Sequence, residues 1–133
     1  MTGGPDPAEA RRRYDRMAVD YDHHLGLQSG RLGRYMEGVR KKAVAKLELE
    51  PGRVVIDVGC GTGASFPRLT AAVGRDGRVI GVDASGAMLG VASKRISERG
   101  WTNVELIQAQ VEAAKLPVAD AAIFFFTHDL MRT

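Results

Sequence analysis

Two rhythms of apolar residues divide the chain. In "GRLGRYMEGVRKKAVAKLELE" the positions Leu32, Met36, Val39, Ala43 and Leu47 recur every three or four residues. That spacing predicts a helix over about Arg31 to Leu49 with one buried stripe and a solvated basic face. A shorter helix is predicted over about Ala8 to Tyr21, after a loose tail rich in Gly and Pro. Pro51-Gly52 closes the helical part. From Val54 the rhythm changes to short continuous aliphatic runs, as in strands buried on both faces. The first is Val54 to Val58. Ser65 to Val73 reads as a helix with Phe66, Leu69 and Val73 inward, closed by "GRDG" and followed by the strand "RVIGVD". Ser85 is placed to cap a further helix, with Met88, Leu89, Ala92 and Ile96 on one face and Gly100 as its stop. "NVELIQA" and "AAIFFF" supply a third and a fourth strand. Such alternation requires crossover connections, so the class is α/β with a parallel, doubly wound sheet and flanking helices.

A chain of 133 residues with 44% hydrophobic content buries one core. The predicted organisation is a single domain over 1–133, with helices at about 8–50 and the strand-and-helix core at about 53–133. Charged residues make up 26%, and they interrupt every apolar run before it reaches membrane-spanning length. The N-terminus lacks the apolar stretch of a secretory signal, and the one cysteine, Cys60, fits a reducing compartment. A cytoplasmic location is expected. The net charge of +3 is concentrated at Arg11 to Arg13 and Arg40 to Lys42. The helical spacing makes these a solvated face rather than a nucleic-acid surface.

The chemistry lies in "VVIDVGCGTG". Gly59, Gly61 and Gly63 form a turn between the first strand and its helix, where the missing Cβ atoms let a ligand reach the backbone. Asp83 follows twenty residues after Gly63 at the end of the second strand, where a carboxylate can accept both hydroxyls of an adenosine ribose. The turn also satisfies the loose dinucleotide pattern. Asp57 decides between ligands, since it sits two residues before Gly59 at the carboxyl end of the first strand. A pyrophosphate there would meet a fixed anion, whereas a cation would gain charge-assisted hydrogen bonds of roughly 1.5–3 kcal/mol. S-adenosylmethionine carries an adenosine, an ammonium and a sulfonium but no phosphate. It is the expected cofactor, and a nicotinamide-dependent oxidoreductase is the weaker alternative.

"VVIDVGCGTG", "VIGVDASGAML" and "LIQAQVEAAKLP" resemble the successive cofactor motifs of class I S-adenosylmethionine-dependent methyltransferases, a Rossmann-like family. "RMAVDYD" resembles the N-terminal signature of its quinone and phospholipid branch. The resemblance implies transfer of a methyl group to a small-molecule acceptor. It also implies that Asp57 and the turn Gly59, Cys60, Gly61 and Gly63 hold the methionyl part, with Tyr21 closing over it. Asp83 would take the ribose, while Ala84, Met88, Gln110 and the backbone N–H of Val111 surround the adenine. Gln110 departs from the acid usual in the family, and its amide oxygen accepts without charge.

Other residues invite plainer readings. Cys60 serves as a small residue inside the turn. His23 and His24 point apart on a helix, so no metal is expected. Trp101 packs at a helix end, and no catalytic residue is assigned, although His128 and Asp129 fall beyond the fourth strand where ligands gather. The family's sheet has seven strands and this chain supplies four, so "AAIFFF" is an edge that invites pairing. The chain is expected to be a fragment, or to be completed by a second copy or partner, or to cover the edge with "THDLMRT". A rival class is a cofactor-binding module without turnover. A methyltransferase acting on RNA rests only on the basic N-terminal patches.

Overall fold

The computed structural model describes residues 8–9, 30–110 and 115–124. Helix α1 (Arg31–Lys46) precedes β1 (Val54–Val58), α2 (Phe66–Val73), β2 (Arg78–Asp83), α3 (Gly86–Arg99), β3 (Val104–Gln108) and β4 (Ala121–Phe124). The four strands form one parallel sheet in the order β3-β2-β1-β4. The chain steps outward from β1 through β2 to β3 and then returns to the other side of β1. That reversal leaves a crevice at the carboxyl ends of β1 and β4, because the connections leave β1 in opposite directions.

Alternation along the central strands sorts their side chains onto two faces. Val55, Val79 and Ile123 pack with Phe66, Leu69 and Val73 of α2, Leu89 and Ala92 of α3, and Val44 of α1. Ile56, Val58, Ile80 and Val82 form the opposite cluster with Val54, Ile107 and Ala119. The register of β4 on β1 is pinned at its start by Asp120. Its Oδ2 accepts from the Val54 N–H at 2.7 Å, and its Oδ1 accepts from the Arg53 guanidinium at 3.3 Å. Phe124, 58% exposed, lies on the free edge of the described sheet.

Local chemistry explains the helix limits. Ser85 caps α3 as expected, its Oγ accepting from the Met88 N–H at 3.1 Å, and Gly100 closes that helix in the left-handed conformation. Helix α1 stops at Lys46, earlier than its periodicity predicts, because Leu47 and Glu48 turn back to the carbonyls of Val44 and Ala45 and Glu48 takes a φ of 50°. Its buried stripe is also rotated from the expected one. Leu32 is 54% exposed, while Arg40 and Val44 are the buried positions. Glu37 pairs with both Arg40 and Arg68 of α2, so this ionic seam, rather than Leu32, sets how α1 lies on α2.

Phe66 links the elements. Its fully buried ring lies over the sheet and meets Trp101 edge-on at a centroid distance of 6.4 Å. It fits because Gly81 has no side chain, since a Cβ there would stand 2.7 Å from Phe66 Cζ and 2.8 Å from Cys60 Sγ. Gly81→Ala is therefore expected to destabilise the chain by about 1–3 kcal/mol through overpacking. Gly90→Ala, at an exposed α3 position with nothing within 4 Å of the added Cβ, should stabilise by ~1 kcal/mol. Urea midpoints of the two variants check the opposite signs.

Candidate functional site

The site is built at the carboxyl ends of β1 and β2. Asp57 is opposite Gly81 of β2 and Ile123 of β4, so the central position of β1 buries its side chain to 1% exposure. The next residues leave the sheet through a turn in which Gly59, Gly61 and Gly63 adopt φ values of 70°, 56° and 80°. These are left-handed conformations that a Cβ disfavours. The N–H groups of Gly59 and Cys60 both donate to the Val82 carbonyl, at 2.7 and 3.0 Å, which holds the turn against β2.

Asp83 ties the turn down from the other side. Its Oδ2 accepts from the Gly61 N–H at 2.8 Å and its Oδ1 from the Ser85 N–H at 2.9 Å. The same carboxylate therefore fixes both the glycine turn and the start of α3. Met88, buried in the first turn of α3, brings its sulfur to the turn, 3.9 Å from where a Gly61 Cβ would be.

Two buried polar atoms in this small region have no hydrogen-bond partner among the described residues, Asp57 Oδ1 and Thr62 Oγ1. Buried polar groups left unpaired cost about 1–3 kcal/mol each. The Asp57 carboxyl is pushed up to about 7, chiefly by burial and next by the negative charge of Asp83, while the Arg40 guanidinium pulls it down. Burial, with the fields of Asp57 and Asp83, also raises the Cys60 thiol well above its usual range. Cys60 therefore stays a protonated small residue.

Of the residues singled out from sequence, Asp57, Gly59, Cys60, Gly61, Gly63, Asp83, Ala84 and Met88 are gathered here. Gln110 stands past the end of β3 on exposed chain. Tyr21 and Val111 lie outside the described residues, as do His23, His24, His128 and Asp129. Two residues of this region, Gln108 and Thr62, were given no role in the sequence reading, and a third, Arg40, was placed on the wrong face. Gln108 donates from Nε2 to the Ala84 carbonyl at 3.4 Å. Thr62 is only 2% exposed, and its place inside the glycine turn was the available signal. Arg40, expected on the solvated face, is 6% exposed and acts electrostatically on Asp57. Among the described residues no group of three or more His, Cys, Asp or Glu side chains is arranged to hold a metal ion. No helix among them is long and apolar enough to cross a membrane.

A family model described as a methyltransferase domain matches residues 55–132. The chain belongs to this methyltransferase-domain family. A demethylmenaquinone methyltransferase of Geobacillus stearothermophilus is 32% identical over 116 residues, covering 87% of this chain and 47% of the relative. That of Symbiobacterium thermophilum is 33% identical over 120 residues, covering 87% and 46%. The chain thus spans about half the length of these relatives. Among solved structures, a SAM-dependent methyltransferase from Aquifex aeolicus superposes with a TM-score of 0.63 at 31% identity, covering 68% of this chain and 50% of that one. The cyclase SpnF superposes at 0.76 with 18% identity over 90% of this chain and 48% of its own, a likeness of fold alone.

The buried carboxyl makes stability pH-dependent. Its folded value of about 7 exceeds the ordinary 3.8, so the stability it contributes is fully present below the lower value and lost as pH rises through the upper one. Between about pH 5 and about pH 8.5 the ligand-free wild-type chain should lose about 2–3 kcal/mol through this residue. Asp57→Asn should lack that loss. Urea unfolding of both chains across the range is the check.

Proposed function

We propose that this chain binds S-adenosylmethionine at the carboxyl ends of β1 and β2 and belongs to an enzyme that methylates a small apolar acceptor of quinone type. The observation that carries the cofactor reading is the buried Asp57 Oδ1 beside the glycine turn, which has no hydrogen-bond partner among the described residues. An ammonium donated there satisfies the orphan acceptor and removes the cost of an unpaired buried anion. A pyrophosphate in the same place would add negative charge next to two carboxylates, which opposes the dinucleotide reading.

The remaining contacts follow from position. The bare backbone from Gly59 to Gly63 admits the methionyl chain, and the Asp83 carboxylate, placed at the end of β2 beside the turn, suits the ribose hydroxyls. Ala84 and Met88 offer apolar surface to the adenine, and the resemblance to the family assigns its edge to Gln110 and Val111 and the methionyl end to Tyr21. When bound, S-adenosylmethionine supplies an electrophilic methyl group on a sulfonium sulfur. The part played by this chain is to fix the adenosyl and amino-acid ends and to exclude water, which orients the transfer without a dedicated base. The acceptor class rests on the names of the relatives. A cytoplasmic site of action and a second chain along the β4 edge belong to the same reading.

Titration calorimetry with S-adenosylmethionine tests it. Binding should weaken at least tenfold in Asp57→Asn, from the loss of one charge-assisted hydrogen bond. It should tighten as pH rises through about 7, where Asp57 ionises. Tight binding of NADH, or an affinity unchanged by Asp57→Asn, would contradict the reading.

A further inference from the structure

Helix α1 concentrates the positive charge of the chain. Six cations and one anion in Arg31–Lys46 give it a formal charge of +5, more than the +3 of the whole chain. The one acid, Glu37, is turned toward Arg40 and Arg68. Arg31, Arg34, Lys41, Lys42 and Lys46 are all exposed, and the helical repeat gathers them within an arc of about 140° opposite the buried Arg40 and Val44. No acid stands on that arc, and none of the five enters an ion pair among the described residues. A helix face that is merely solvated mixes both signs. Two of the cations also occupy the first turn, where the helix dipole disfavours them and no acidic residue compensates.

Apolar side chains accompany this charge. Tyr35, 68% exposed, sits inside the basic arc, and Leu32 lies exposed at its rim. Packing fixes where they stand relative to the crevice. Glu37 meets Arg68 at the start of α2, next to the glycine turn, whereas the Gly52 N–H, soon after α1, donates to the Val73 carbonyl at the other end of α2 at 2.8 Å. Helix α1 thus runs in the same direction as α2, and Leu32 and Tyr35 lie toward the end of the sheet where the crevice opens. We propose that this face of α1 docks on an anionic lipid membrane, with the five cations against the headgroups and Tyr35 and Leu32 inserted at the interface. Anionic lipid attracts clustered Lys and Arg, and tyrosine suits the boundary between water and acyl chains because its ring is apolar and its hydroxyl polar. Nucleic acid would attract the same charge but offers no apolar layer to Leu32. The docking rests on the helix alone. Under the function proposed above it turns the crevice toward the layer in which an apolar acceptor of quinone type dissolves.

Co-sedimentation with lipid vesicles tests this. The 133-residue chain should pellet with vesicles of phosphatidylglycerol and phosphatidylcholine in equal parts and remain in solution with phosphatidylcholine alone. Replacing both lysines, Lys41→Gln with Lys42→Gln, should weaken the partition by roughly twentyfold, about fivefold for each cation removed. Tyr35→Ser leaves the charge unchanged and should weaken it severalfold. All three side chains are exposed, so circular dichroism and affinity for S-adenosylhomocysteine should match the wild type in both variants, and the cofactor reading stands or falls separately. Equal partition onto neutral and anionic vesicles, partition onto neither, or wild-type partition in the lysine double variant or in Tyr35→Ser would overturn the proposal. So would tighter binding to a single-stranded RNA oligonucleotide than to the anionic vesicles. Should the double variant lose its helical signal, Tyr35→Ser and the lipid selectivity of the wild-type chain decide.

Discussion

A carboxylate kept dry on the central strand is the constraint around which this structure is arranged. Asp57 stands in the middle of a parallel sheet, between Gly81 and Ile123, where aliphatic side chains dominate. An ionised group in such a place is costly unless something pairs with it. One of its oxygens finds no partner among the described residues, and its proton is held to about pH 7. A chain that keeps such a residue within its best-packed strand bears a cost in stability that a cationic ligand can repay.

The surrounding turn is organised by a second carboxylate used differently. Asp83 accepts from the backbone of Gly61 and of Ser85, so it joins the glycine turn to the start of α3. One acid thus fixes backbone while its neighbour keeps an oxygen open. The contrast follows from position: Asp83 ends its strand within reach of loop N–H groups, whereas Asp57 points onto the covered face. Gly81, by omitting a side chain, lets Phe66 and Cys60 close over that face and keep water out.

Much of this was readable from residues in order. The four strands, the Ser85 cap, the Gly100 stop and the gathering of Asp57 with the glycine turn follow from periodicity and local turn chemistry, which act over a few residues. Arg40 and Leu32 did not follow. A helical pattern counts apolar residues, and it cannot foresee that Glu37 and Arg68 would rotate α1 so that a charged residue is buried and a leucine exposed. The backbone ties of Asp83 were hidden for a related reason, since they join residues 22 apart whose contact exists only once β1 and β2 have paired.

The central claim is that Asp57 is a buried carboxyl awaiting a cation. Carbon-13 NMR titration of its side-chain carboxyl, in the free chain and with saturating S-adenosylhomocysteine, addresses it directly. The account predicts a midpoint near 7 in the free chain, falling by more than about one unit when the ligand's ammonium is present. A midpoint in the ordinary carboxylate range without ligand, or one that the ligand leaves in place, would contradict it.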